Sequence, residues 1–238
     1  VRLGTEELNR EACQPGQVGS VMLRGPNVFP GYKDKKQNQG TLTADGWLIT
    51  GDLGYLDEEG FLYLTGRSKD LIIRSGHNID PSVIEEALTK HPDVAIAAAV
   101  GKPDPYAGEL PVAYVQLQPD ASISSNQLMA YLEENISERP ALPKEVIVID
   151  AIPTTAVGKI FKPQLRWEQA RKHFIEVLSW LKEDGLQYSV EVGESKTHGM
   201  MCRITLSGDQ KDDWDSLEKK IKFQLDSYSY VQTEVVWS

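Results

Sequence analysis

Cysteine is nearly missing from this 238-residue chain, which holds only Cys13 and Cys202, far apart. The two make neither a disulfide framework nor a CxxC metal site, and a reducing cytoplasm is the compartment they imply. Long apolar runs are missing too, since none approaches the ~20 residues that a helix needs to cross a bilayer. Nor is there a basic excess. The formal net charge is −10, which argues against a general nucleic-acid surface, normally a basic one. There is no internal repeat and no low-complexity tract. The chain opens Val1-Arg2-Leu3-Gly4 with neither an initiator Met nor a signal peptide, so it is expected to start inside a longer polypeptide.

What is present suits one or two soluble globular domains with real cores: 40% hydrophobic and 25% charged residues. Residues 1–66 are rich in Gly and Pro and carry short alternating runs, such as Trp47-Leu48-Ile49-Thr50 and Phe61-Leu62-Tyr63-Leu64-Thr65. Between them Asp57-Glu58-Glu59-Gly60 is a hairpin signal, so small-sheet β structure is predicted here. From about Lys69 the pattern changes to alternating strands and helices. Leu71 to Arg74 reads as a strand, Asp80-Pro81 as an N-cap with Pro in the first turn, and Val83 to Leu88 as the helix that follows. Val94 to Val100, Leu110 to Leu117 and Glu145 to Ile149 read as strands, with Gln127 to Ile136 as a helix. Such alternation implies an α/β layer.

Further on, Trp167 to Leu181 reads as an amphipathic helix. Strands are predicted at Tyr188–Val192, Met201–Leu206 and Val231–Trp237, with a helix at Trp214–Leu225. The expected class is therefore α/β (α+β). A β-rich part over 1–68 is followed by a compact α/β domain over 69–170 and an α-β-β-α-β appendage over 171–238, of the split-βαβ kind.

Three segments pair a turn-forming Gly with a charged side chain. In Thr50-Gly51-Asp52 the carboxylate can accept hydrogen bonds from two vicinal hydroxyls, as acidic residues do on ribose. Gly66-Arg67-Ser68-Lys69-Asp70, running into Arg74-Ser75-Gly76-His77-Asn78, offers a guanidinium for hydroxyl and phosphate oxygens. It also offers Lys69 at a change of composition, where a hinge would lie, and Gly76, where backbone can approach a ligand closely. His77 has no partner in the sequence that would make it a catalytic base. Pro153-Thr154-Thr155-Ala156-Val157-Gly158-Lys159 can deliver the Lys159 ammonium to a pocket, where it would stabilise charge building up on transferring oxygens. Lys162 and Arg166 beside it read as solvated cations. Taken singly, each segment reads as an ordinary turn with an exposed charge; their joint order and spacing do not.

That arrangement resembles the adenylate-forming superfamily, which comprises acyl-CoA synthetases, luciferases and the adenylation domains of peptide synthetases. The resemblance spans roughly Gly19 to Arg166 and is similar above all to acyl-CoA synthetases acting on fatty or related acids. It implies the C-terminal part of an AMP-forming acid–thiol ligase: a carboxylic acid and ATP, with Mg²⁺ on the phosphates, give an acyl-AMP. CoA, or the pantetheine of a carrier protein, then takes the acyl group. It also implies roles. Asp52 binds the ribose hydroxyls, Arg67 contacts the same nucleotide, Lys69 is the hinge, Gly76 lines the pantetheine channel and Lys159 serves carboxylate adenylation. The small C-terminal domain would turn about the hinge between the two half-reactions.

Two departures stand out. Asn78 occupies a position where many acyl-CoA synthetases have an Arg near phosphate. The Ser/Thr/Gly-rich phosphate loop and the acyl-pocket segments of the large N-terminal domain are not in the chain, so the chain alone is expected to be almost inactive. A binding or regulatory module whose adenylation residues are idle is the alternative.

Overall fold

The computed structural model describes residues 2–4, 12–195, 199–208, 214–228 and 231–237. The chain divides into two compact units, Val1–Leu71 and Ile72–Ser238.

The first unit is built on an antiparallel four-stranded sheet in chain order: β1 (Arg2–Gly4), β2 (Gly19–Leu23), β3 (Leu48–Leu56) and β4 (Leu62–Arg67). The turn joining β3 to β4 forms as its sequence requires. Asp57 Oδ1 accepts from the Glu59 and Phe61 amides at 3.0 and 2.8 Å, and Gly60 takes a φ of +86°. The β3–β4 register shifts between Leu53 and Gly54. A Cβ at Gly54 would sit 2.5 Å from the Tyr63 carbonyl oxygen, so the bulge requires a residue without one.

The second unit begins with a short hairpin, β5 (Ile72–Arg74) and β6 (His77–Ile79), followed by α1 (Pro81–Thr89). Asp80 Oδ1 caps that helix by accepting from the Ser82 amide at 2.9 Å, with Pro81 in the first turn. Long antiparallel strands β7 (Val94–Asp104) and β8 (Gly108–Leu117) form the centre of the sheet. One side of β8 takes β5 at Gly108 and, farther along, the parallel strand β9 (Glu145–Val148). Between β8 and β9 lies α2 (Ser125–Asn135), closed by a capping box of Ser124 and Gln127.

β7 reads as a continuous apolar run because both of its faces are covered. Ala97 and Ala99 pack with Ile84, Leu88, Leu128 and Leu132 on one side. Ala98 and Val100 pack with Val112, Tyr114 and Leu165 on the other. Leu165 belongs to α3 (Lys162–Val177), a helix that runs unbroken across residue 171. A helix over Trp167–Leu181 was expected. The observed one starts five residues earlier, since Pro163 suits a first turn, and the chain turns at Leu178 before the single turn α4 (Trp180–Glu183).

A three-stranded sheet follows, in the order β10 (Gln187–Ser195), β11 (Gly199–Ser207), β12 (Val231–Trp237). β10 and β11 are antiparallel, and α5 (Trp214–Leu225) carries the chain to the parallel partner β12. Phe174, Leu178 and Leu181 pack with Cys202, Ile204, Leu217 and Ile221 in a separate core. Among the described residues no helix is long and apolar enough to cross a membrane.

Candidate functional site

The Thr50-Gly51-Asp52 tripeptide lies on β3. Thr50 Oγ1 donates to the Val21 carbonyl at 2.9 Å and accepts from the Asp52 amide at 3.0 Å, while Gly51 has a φ of +78°. One hydroxyl thus ties the tripeptide to β2 and fixes the backbone that carries the carboxylate. Across the ladder Asp52 stands opposite Arg67 on β4. Arg67 Nε donates to Asp52 Oδ1 at 3.0 Å and the guanidinium reaches the Thr50 carbonyl at 3.4 Å. Ser68 Oγ closes the corner by donating to the Gly51 carbonyl at 3.2 Å. The pair is accessible, with 34% of the Asp52 and 63% of the Arg67 side chain exposed. An acceptor and a multiple donor therefore stand side by side at a solvent-facing corner, a combination that matches a ligand carrying both hydroxyls and phosphates.

Lys69 is exposed in a single 3₁₀ turn, Ser68–Asp70, and the division between the two compact units falls just beyond it, after Leu71. Gly76 forms the two-residue turn of the β5–β6 hairpin with Ser75; their φ angles of +50° and +82° belong to a turn that twists with its strands. The Ser75 amide donates to the Ala107 carbonyl at 2.7 Å, which holds the turn against the start of β8. His77 and Asn78 are exposed on that hairpin.

Lys159 closes another tight hairpin, where Thr154 and Ile160 are bridged. The Thr155 amide donates to the Lys159 carbonyl at 2.7 Å, the Lys159 amide to Thr155 Oγ1 at 3.2 Å, and Gly158 turns the chain at a φ of +78°. The backbone at Lys159 is therefore pinned while its side chain stays exposed. Lys162, expected to be a solvated cation, differs: its Nζ lies 2.7 Å from Glu85 Oε1, with only 16% and 19% of the two side chains exposed. Neighbouring helix α1 supplies the carboxylate, and Glu85 also accepts from the Ala99 amide at 2.7 Å. Of the two lysines, Lys162 is bound and Lys159 extends free of any ion pair among the described residues.

Asp52, Arg67 and Lys69 belong to the first unit, and Gly76 and Lys159 to separate hairpins of the second. Sequence reading passed over Glu109. This side chain at the start of β8 accepts from the Ile73 amide at 2.9 Å and fills the space that Gly101 leaves on β7. Burial raises its pKa, against the lowering effects of the Ile73 amide and the Arg166 charge. The available signal was a lone carboxylate near the start of a mostly apolar strand. Tyr114 was also missed; its hydroxyl accepts from the buried Gln169 amide at 2.7 Å, and burial pushes its pKa to about 12. Among the described residues no group of three or more His, Cys, Asp or Glu could hold a metal ion. Those residues therefore offer Mg²⁺ no cage of their own side chains.

Residues 83–159 match the family model of the AMP-binding enzyme C-terminal domain. Marinolic acid–CoA ligase from Pseudoalteromonas sp. (strain SANK 73390) is 41% identical over 218 residues, which cover 92% of this chain and 33% of that protein. The ATP-bound MatB structure from Rhodopseudomonas palustris matches 69% of this chain and 33% of its own, with a TM-score of 0.65 at 34% identity. The o-succinylbenzoate CoA synthetase MenE of Bacillus subtilis, in complex with the acyl-adenylate intermediate OSB-AMP, matches over the same shares with a TM-score of 0.62 at 37% identity. The chain spans about a third of the length of these relatives. A match 218 residues long cannot end before residue 218, so the marinolic acid ligase resembles this chain through β10 and β11 as well.

Proposed function

We propose that this chain, whose residues 83–159 match the AMP-binding enzyme C-terminal domain, is the C-terminal part of an ATP-dependent acid–CoA ligase. A carboxylic acid and ATP would give acyl-AMP and pyrophosphate; the CoA thiol would then displace AMP and leave the thioester. The observation that carries this reading is the Asp52–Arg67 corner, where two residues from separate motifs meet on adjacent strands with accessible polar ends. Relatives seen with ATP, with an acyl-adenylate, and with ATP and a magnesium ion support it.

Within that reading the residues divide the work. Asp52 accepts hydrogen bonds from the ribose hydroxyls, and Arg67 both orients that carboxylate and faces the nucleotide. Lys159, held at its backbone and with no ion pair at its ammonium among the described residues, supplies positive charge where the carboxylate meets the α-phosphate. Lys69 is the hinge, and Gly76 lets pantetheine pass close to the backbone of the β5–β6 turn. Mg²⁺ would be brought with ATP, as in the o-succinylbenzoate CoA synthetase complex with ATP and magnesium ion, and would supply charge neutralisation when bound. The substrate would be a fatty or related carboxylic acid and the acceptor CoA, with carrier-protein pantetheine as the other acceptor to be compared. Cys13 and Cys202 are unbridged, which supports a cytoplasmic setting.

The test is acid-dependent ATP–pyrophosphate exchange in the complete polypeptide, with its upstream domain, carrying Lys159→Ala. Exchange at the unsubstituted rate would remove Lys159 from the chemistry. Absence of any exchange or thioester formation by the unsubstituted protein, with CoA or with a loaded carrier, would leave a binding module as the better account.

A further inference from the structure

The family model ends at residue 159, before α3 and the segment that follows it, yet that helix serves the layers on both sides of it. Leu165, one turn in, is buried among Ala98, Val100, Val112 and Tyr114 of the β7–β8 sheet. Ala170 and Phe174, five and nine residues later, are buried in the core of the β10–β12 layer. Gln169 sits between them, 2% exposed, with its amide on Tyr114 Oη. The N-terminal turn is fastened by Lys162 to Glu85. The C-terminal turns are fastened by the Ile175 carbonyl, which accepts from Tyr188 Oη at 2.8 Å, and by His173 Nε2, 2.6 Å from Tyr228 Oη. No Gly or Pro follows Pro163 until Gly185.

We infer that α3 is a rigid strut joining the 72–160 layer and the 180–237 layer into one moving body. A helix is stiff along its length unless Gly, Pro or an inserted group interrupts its ladder. Bending this one would strip Leu165 or Phe174 from a closed core and leave Gln169 and Tyr114 with buried unpaired groups, so both layers hold it straight. On the proposed function, the appendage then swings with the lid about Lys69. A ligand or partner that holds the appendage better in one lid orientation biases the half-reaction belonging to that orientation, by its difference in affinity. The appendage becomes a handle on the lid.

Spin labels test this by pulsed dipolar distance measurement in the complete polypeptide. One pair, Lys90→Cys and Lys219→Cys, spans the two layers; another, Glu58→Cys and Lys90→Cys, spans the hinge; Cys13→Ser removes the accessible native thiol. The first pair is expected to give one narrow distance, unchanged between the free protein and a complex with a non-hydrolysable acyl-adenylate analogue. A broad or shifted distribution in that pair overturns the strut. The hinge pair reports separately: if it stays fixed with ligand, lid rotation fails while the strut stands on the width of the first pair. Inserting two glycines between Arg171 and Lys172 should broaden the first distribution, with circular dichroism verifying that secondary structure is retained. If the glycines leave it narrow, contacts other than the helix join the layers and the strut is overturned.

Discussion

Arg67 donates through Nε to Asp52 Oδ1 at 3.0 Å, and the two residues are direct cross-strand partners in the β3–β4 ladder. The pairing is accessible to water on both sides. It therefore contributes little to folding and leaves polar ends available to a ligand.

Accordingly, Asp52→Ala should change unfolding free energy by no more than ~1 kcal/mol, the range of exposed ion pairs. Urea denaturation of the chain reads this. In the complete polypeptide the same substitution should weaken ATP binding by ~10-fold or more, since a charge-assisted hydrogen bond is worth ~1.5–3 kcal/mol. Unchanged nucleotide affinity would remove Asp52 from the ribose site.

Gly158 turns the Lys159 hairpin at a φ of +78°, and no atom lies within 4 Å of a Cβ built there. Gly158→Ala is expected to cost ~1–2 kcal/mol from backbone conformation alone. Gly158→Asn should recover part of it, because Asn tolerates the left-handed region. If Lys159 depends on this turn for its placement, pyrophosphate exchange falls more in the Ala than in the Asn variant.

Gly101 and Glu109 form a coupled pair. A Cβ at Gly101 would lie 2.5 Å from Glu109 Cδ, so Gly101→Ala must displace the carboxylate from the Ile73 amide. The expected cost is ~1–3 kcal/mol. It should shrink in a Glu109→Ala background, where the obstacle is gone, which a double-mutant cycle measures directly. Burial raises the Glu109 pKa from its ordinary 4.5, so the folded state holds the proton to higher pH than the unfolded chain. This contribution to stability is present at low pH and is lost as pH rises through the folded-state pKa. Glu109→Gln should flatten that part of the stability profile.

His173 shifts the other way. Burial, with Lys102 nearby, lowers its pKa below the ordinary 6.5, against the opposing charges of Glu176 and Asp104. The unfolded chain takes up the proton first as pH falls, so stability drops from about pH 6.5 downward until the folded imidazole protonates too. Thermal melts across this range should show the slope, and His173→Gln should remove it. An identical slope in the variant would assign the effect to other groups.

Local signals in the chain were legible because their physics is local. Asp80 caps α1 and Asp57 closes the β3–β4 turn through bonds spanning only a few residues, with no help needed from distant segments. Apolar runs at Val94–Val100 and Leu110–Leu117 marked the strands β7 and β8, while the cover on both faces of β7 appeared only in the packing. Lys162 could not be read in this way. Its fate was decided by Glu85 on α1, 77 positions earlier in the chain, and no pattern around residue 162 carries that information. Glu109 was likewise hidden, because its role lies in the gap that a glycine leaves on another strand.

By itself, the sequence determined where two of the turns fall and which charges stand beside them, since Gly76 and Gly158 adopt the positive φ that favours glycine, whereas Gly51, expected in a turn, takes that φ inside strand β3. It also determined the order of the motifs, and with it the resemblance. Tertiary structure alone decided that Asp52 faces Arg67, that Lys162 pairs with Glu85 while Lys159 has no ion pair among the described residues, and that α3 ties two cores together. A turn depends on the dihedral preferences of adjacent residues, whereas pairing and burial depend on strand register and on the packing of elements far apart in the chain.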